Sequence, residues 1–153
     1  MHDDWQDLLA GLHAAKARYL VVGAHAMAVH GVPRGTQDID LWIEATRGNA
    51  EKIWQVLVEF GAPLESLGIS LGDLYRPDTV VQLGVPPNRV DLLTSISGVP
   101  DFQAAWVDRV ESDFGGVSGV AFLGRQALVR SKRAAGRRKD LADLEALGEL
   151  PPA

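Results

Sequence analysis

Two aspartates one residue apart, Asp38 and Asp40, sit inside the otherwise apolar stretch Asp38-Ile39-Asp40-Leu41-Trp42-Ile43. In a β-strand that spacing puts both carboxylates on one face, while Ile39, Leu41 and Ile43 fill the other. One face then belongs to a core and the other to a site. Paired carboxylates repel each other and gain nothing from burial. A divalent cation removes the conflict, and hard Mg²⁺ (or Mn²⁺) is the usual partner of such oxygens.

The residues upstream constrain the fold further. Tyr19-Leu20-Val21-Val22 is a short apolar run of β-formers, the pattern of a buried strand. Gly23 breaks it, and Ala24 to His30 resumes at helical spacing. A glycine between strand and helix permits a tight turn and leaves the first helical N–H groups, at Gly23 and Ala24, open to a phosphate. Gly31-Val32-Pro33-Arg34-Gly35-Thr36 then leads into the paired-Asp strand.

Around this module the chain alternates helices and strands. Trp5, Leu8, Leu9 and Leu12 predict an amphipathic helix over Asp3 to Ala17. Thr46 or Asn49 caps a second helix, with Ile53, Val56, Leu57 and Phe60 inward and Gly61 as its stop. Leu64 to Asp73 is expected to be loop with at most one helical turn. Thr79–Leu83 and Arg89–Thr94 flank a turn at Gly84–Asn88 and read as an antiparallel hairpin. Asp101 to Val110 is expected as a helix, Val117 to Leu123 as a last strand, and Gln126–Ala135 and Arg138–Leu147 as two helices around Gly136. The tail from Glu149 is expected to fray. The sum is one α+β (α/β-like) domain over 1–153, a mixed β-sheet with helices packed against it, with an N-terminal helix in 1–17 and basic helices in 124–147.

Composition narrows the setting. The 153 residues are 46% hydrophobic and contain no cysteine, so disulfides and thiolate metal sites are excluded. No apolar run approaches the ~20 residues that span a bilayer. The acidic N-terminus has no signal-peptide character, so a cytoplasmic location and no membrane partner are expected. The net charge of −5 argues against binding nucleic acid over the whole surface. Yet Arg125 to Lys139 holds seven of the fifteen basic residues and no acidic one, which suggests a local anion site or a solvated helix face.

At these positions the sequence resembles the nucleotidyltransferase superfamily, with its glycine turn followed by an Asp-x-Asp strand. It resembles more closely a group of small bacterial proteins near the minor nucleotidyltransferases and the abortive-infection-type toxins. The matching string is Gly23-Ala24-His25-Ala26, His30-Gly31, Arg34, Thr36, Asp38 and Asp40. Ala24 stands where that group has Gly or Ser, and offers phosphate only its N–H. Two later stretches also match: Gln82-Leu83-Gly84 with Pro87 to Thr94, and Lys132 to Leu144. The resemblance spans roughly Tyr19 to Leu147 and implies the nucleotidyltransferase fold.

It also implies roles. Asp38, Asp40 and Asp91 would be catalytic metal ligands. Gly23, Ala24, Arg34, Thr36, Lys132 and Arg137 would hold an NTP. A nucleoside monophosphate would pass to a hydroxyl on a tRNA, a protein or a small molecule, with a partner protein or a second copy helping to grip the acceptor. A toxin–antitoxin or phage-defence role follows from the nearest resemblance; the alternative is a non-catalytic binding partner or nucleotide sensor. Plainer roles stand beside these: an Asp91–Arg89 ion pair, turn bonding by Arg34 and Thr36, packed histidines at 25 and 30, and a structural Asp140 and Asp143.

Overall fold

The computed structural model describes residues 3–85 and 88–149. Pro86 and Pro87 of the expected turn, and the tail from Leu150, lie outside them. Six strands form one sheet: β1 (Tyr19–Val22), β2 (Asp38–Ile43), β3 (Val80–Leu83), β4 (Arg89–Leu93), β5 (Val110–Phe114) and β6 (Val117–Phe122), in the order β3-β4-β2-β1-β6-β5. The pairings β1–β6 and β2–β4 are parallel; β1–β2, β3–β4 and β5–β6 are antiparallel. The helices are α1 (Asp3–Ala14), α2 (Gly23–Val29), α3 (Arg47–Phe60), α4 (Phe102–Val107), α5 (Arg125–Ala135) and α6 (Arg138–Ala146). This is the mixed α+β sheet expected from the sequence.

Strand β1 is central, and all four of its residues are buried, which is why it reads as an unbroken apolar run. Strand β2 alternates as expected: Ile39 and Leu41 are buried while Asp38 and Asp40 are only half-buried. Trp5, Leu8, Leu9 and Leu12 of α1 and Ile53 and Leu57 of α3 fill the core that supports these strands. Truncating a core leucine such as Leu41 to alanine would cost about 3 kcal/mol. Among the described residues, no helix is long and apolar enough to cross a membrane.

Of the two residues that could cap α3, Thr46 does so, accepting from the Asn49 N–H at 3.3 Å, and Gly61 closes the helix at φ +87°. Asn49 is buried and serves elsewhere. Its side chain accepts from the Arg18 N–H at 2.7 Å and donates to the Arg18 and Glu44 carbonyls at 2.9 and 3.0 Å. It thus ties the approach to β1 to the exit from β2.

Two expectations change. The helix expected to reach Val110 stops at Val107, and Val110 opens strand β5, which pairs with β6. The turn between them is Gly115-Gly116, with φ +57° and +84°, the left-handed pair that a two-residue hairpin requires. The loop after α3 holds the single helical turn expected of it, a 3-10 turn at Leu71–Leu74. Glu149 does not fray: it pairs with Arg125 at 3.3 Å and Arg133 at 3.5 Å.

Candidate active site

Register brings the site together. Val22 is opposite Asp40 across β1 and β2, and Asp40 is opposite Asp91 across β2 and β4. Gly23, the next residue after Val22, therefore meets Asp40 from one side and Asp91 flanks it from the other. Gly23 has φ +70°, and a Cβ added there would run into the Asp40 Oδ2 and lie 3.3 Å from its Cγ. Glycine is needed both for the turn and for the close approach. Asp38 faces Arg89 in the β2–β4 register.

The carboxylates strain against each other. Burial pushes the Asp40 pKa up to about 6, the charges of Asp91 and Asp38 add to the rise, and Arg89 offsets part of it. The Asp38 Oδ1 is buried and has no hydrogen-bond partner. Asp91 is only 8% exposed and is held by Arg89, whose Nε and Nη2 donate to Oδ1 and Oδ2 at 3.0 Å each.

Asp38 and Asp40 fit a divalent cation. An orphaned carboxylate oxygen on Asp38 and a charge-crowded Asp40 are the donor chemistry that a hard cation satisfies, and Mg²⁺ commonly takes one or two protein carboxylates with the remainder from substrate and water. Among the described residues, however, no group of three or more His, Cys, Asp or Glu side chains is arranged to hold a metal. Asp91, the third expected ligand, lies beside Asp40 with both its oxygens held by Arg89.

Asp40 and Gly23 form one wall of a cavity of about 350 Å³. The opposite wall comes from α5 and α6, with Lys132, Arg137 and Lys139, and Ser95 and Ser97 close its side. Larger clefts, of about 500 Å³ beside Gly11 and about 660 Å³ beside Trp54, are lined by no cation. A cleft of about 410 Å³ beside Tyr19, at the other end of β1, gathers Lys16, Arg18 and Lys52 around the single carboxylate Glu111. The cavity at Gly23 sets the crowded Asp40 against a cationic wall.

That wall is itself organised by two buried acids. Lys132 Nζ lies 2.9 Å from Asp143 Oδ2 and 3.5 Å from Asp140 Oδ1. Arg137 donates to the Asp140 Oδ2 from Nε at 2.7 Å and from its backbone N–H at 3.1 Å, capping α6. Burial alone would raise the Asp140 pKa, but the hydrogen bonds from Arg137 and the charges of Arg137 and Lys132 hold it below the usual carboxylate range.

The remaining expected site residues are placed differently. Arg34 does not line the cavity; its guanidinium pairs with Asp143 and clasps the loop before β2 to α6. Thr36 Oγ1 exchanges 3.1 Å hydrogen bonds with the Asp38 backbone and sets the entry to β2. Ala24 lies in the first turn of α2, which has only seven residues and no side-chain cap. His30 Nε2 bonds the Leu123 carbonyl at 2.8 Å, tying α2 to the end of β6. His25 packs edge-on to Trp5 and Phe114, and burial lowers its pKa, so it is neutral near pH 7. Ser95, Ser97 and Ser131 also line the cavity. Sequence carried no signal for them, because their place depends on how α5 packs beside the end of β4.

No protein-family model and no curated protein matches the chain. Among solved structures, the chain is similar to TM1012 from Thermotoga maritima, described as a "putative nucleotidyltransferase", with 16% identity and a TM-score of 0.61, over 93% of this chain and 88% of that one. The two share a fold, and at that identity the likeness extends to the fold alone.

Proposed function

We propose that this chain transfers a nucleoside monophosphate from an NTP to a hydroxyl acceptor, with Asp38 and Asp40 holding Mg²⁺ (or Mn²⁺). The observation that carries this is the crowded pair itself. Asp40 is forced up to about 6 by burial and two like charges and sits at a glycine turn facing a cationic wall, and Asp38, two residues before it on the same strand face, keeps an unpartnered oxygen. An apolar core would not retain such a pair, whereas a cation with a polyphosphate satisfies both walls at once. The fold shared with TM1012 is compatible with this chemistry.

In the proposed reaction the acceptor oxygen attacks the α-phosphorus. The bond from that phosphorus to the β-phosphate oxygen breaks, and pyrophosphate leaves. The hydroxyl proton passes to a carboxylate of the site, Asp91 in this scheme once Arg89 has released one of its oxygens. The cation, when bound, supplies charge neutralisation at the phosphate oxygens. Gly23, having no side chain, lets the NTP approach the protein backbone closely, and Lys132, Arg137 and Lys139 would face the triphosphate from the opposite wall. Lys132 is held by Asp140 and Asp143, which fixes its position without removing it from the cavity lining.

The acceptor belongs to the same proposal: a tRNA end, a protein side chain or a small molecule, gripped with the help of a partner protein or a second copy. A toxin–antitoxin or phage-defence setting in the cytoplasm rests on the sequence resemblance. The second reading, a nucleotide sensor or binding partner without turnover, is favoured by one observation, the Arg89 fork on Asp91. The test is incubation with each α-labelled NTP, Mg²⁺ and bulk tRNA or protein. Label transferred by the native chain and lost in Asp38→Ala supports transfer; NTP bound with no label transferred supports the sensor.

A further inference from the structure

Arg89 occupies a place that needs explaining. It stands two residues before Asp91 on β4, so the two side chains share a face and their pairing requires no other element. The fork is bidentate, at 3.0 Å on each arm, and Asp91 is nearly buried. Arg89 is also opposite Asp38 in the strand register, and Asp91 is opposite Asp40. One guanidinium therefore stands among three carboxylates while satisfying only one of them.

The charges decide what this means. Three carboxylates and one arginine leave two negative charges unmatched. The strain appears where it should: the Asp38 Oδ1 is buried and has no hydrogen-bond partner. A buried carboxylate needs a cation beside it, so Asp91 cannot lose Arg89 without gaining another positive group. The Arg89 side chain is 31% exposed, so it can leave toward solvent without unpacking the core.

We propose that Arg89 and a divalent cation compete for Asp91. Arg89 is the built-in counter-ion of the metal-free state and a positioning residue for the site, and Asp91 joins Asp38 and Asp40 only when the guanidinium lets go. The competition presupposes the metal site proposed above. It accounts for how a sequence with three carboxylates at suitable positions presents only two of them.

The test is a double-mutant cycle read by Mn²⁺ binding, using the electron paramagnetic resonance signal of free Mn²⁺ at pH 7.5. The chains compared are native, Arg89→Gln, Asp91→Asn, the double variant and Asp38→Asn. Arg89→Gln is expected to bind Mn²⁺ about tenfold more tightly than the native chain, and the gain is expected to vanish in the Asp91→Asn background. Removing any positive charge nearby would help a cation somewhat, but that general effect would persist without Asp91. A gain of equal size in both backgrounds, or no gain, overturns the competition. Arg89→Lys keeps the charge without the fork, and an intermediate affinity is expected; it carries the same test if Arg89→Gln does not fold. An affinity for Arg89→Lys equal to the native one overturns the proposal. Mn²⁺ bound by the native chain, lost in Asp38→Asn and indifferent to Arg89, overturns the competition while leaving the metal site standing. No Mn²⁺ bound by either the native chain or the Arg89 variants overturns both.

Discussion

Replacing Asp40 by asparagine should stabilise the metal-free protein. The Asp40 carboxyl titrates near 3.8 in the unfolded chain and at about 6 in the fold, raised first by burial and then by the charges of Asp91 and Asp38. Between those values the native state holds a proton that the unfolded chain has released. Native stability therefore falls as pH rises through that window and stays lowered above it. At about 1.4 kcal/mol per unit, the loss approaches 3 kcal/mol by pH 8, an upper bound because Asp40 keeps some solvent contact. Asparagine has the same shape and carries no charge. In urea denaturation with chelator present, Asp40→Asn should exceed the native chain by up to ~3 kcal/mol at pH 8, or roughly 6–12 °C in Tm, with the gap closing below pH 4. Adding Mg²⁺ should raise the native chain toward the variant and leave the variant unmoved. A gap that is the same at pH 4 and pH 8, or a variant less stable than the native chain at pH 8, would refute the electrostatic account of the site.

Other substitutions probe the parts separately. Gly23→Ala adds a Cβ against the Asp40 carboxylate at a left-handed φ of +70°, so it should lose at least ~1–2 kcal/mol in denaturation and weaken Mn²⁺ uptake; unchanged uptake would detach the glycine turn from the site. Lys132→Met takes from the buried Asp140 and Asp143 a cation they share, and should cost about 3 kcal/mol by the same measurement. Asp140 titrates below its unfolded value, so it contributes stability above about pH 3.8 that is lost as pH falls below it; Asp140→Asn should be the weaker chain at pH 7, with the difference shrinking in acid. Thr46→Ala should cost about 1 kcal/mol through the lost cap of α3 while leaving Mn²⁺ uptake unchanged.

Local chemistry made much of this legible. The unbroken apolar run at β1, the alternation in β2, the glycine at 23 and the β3–β4 hairpin each follow from rules that act over a few residues. The Gly115-Gly116 dipeptide was an equally local hairpin signal, but the polar sequence of β5, Val-Glu-Ser-Asp-Phe, masked the strand beside it. The Arg89–Asp91 pair was visible as an i, i+2 spacing on one strand face. What the sequence could not express is partner choice across the fold. Arg34 meets Asp143, 109 residues away, because α6 packs beside the loop before β2. Lys132 and Arg137 reach the cavity, yet the same two buried acids hold them. Asn49 could have capped α3, and tertiary packing gave it the Arg18 and Glu44 backbone instead.

The central claim is that Asp38 and Asp40 hold a divalent cation opposite the cationic wall of α5 and α6. Crystals grown with Mn²⁺ and an NTP analogue, measured at the manganese absorption edge, test it most directly. The account predicts an anomalous peak within coordination distance of Asp38 and Asp40, with phosphate density reaching toward Lys132 and Arg137. Phosphate density in that cavity with no anomalous peak beside either aspartate would contradict it.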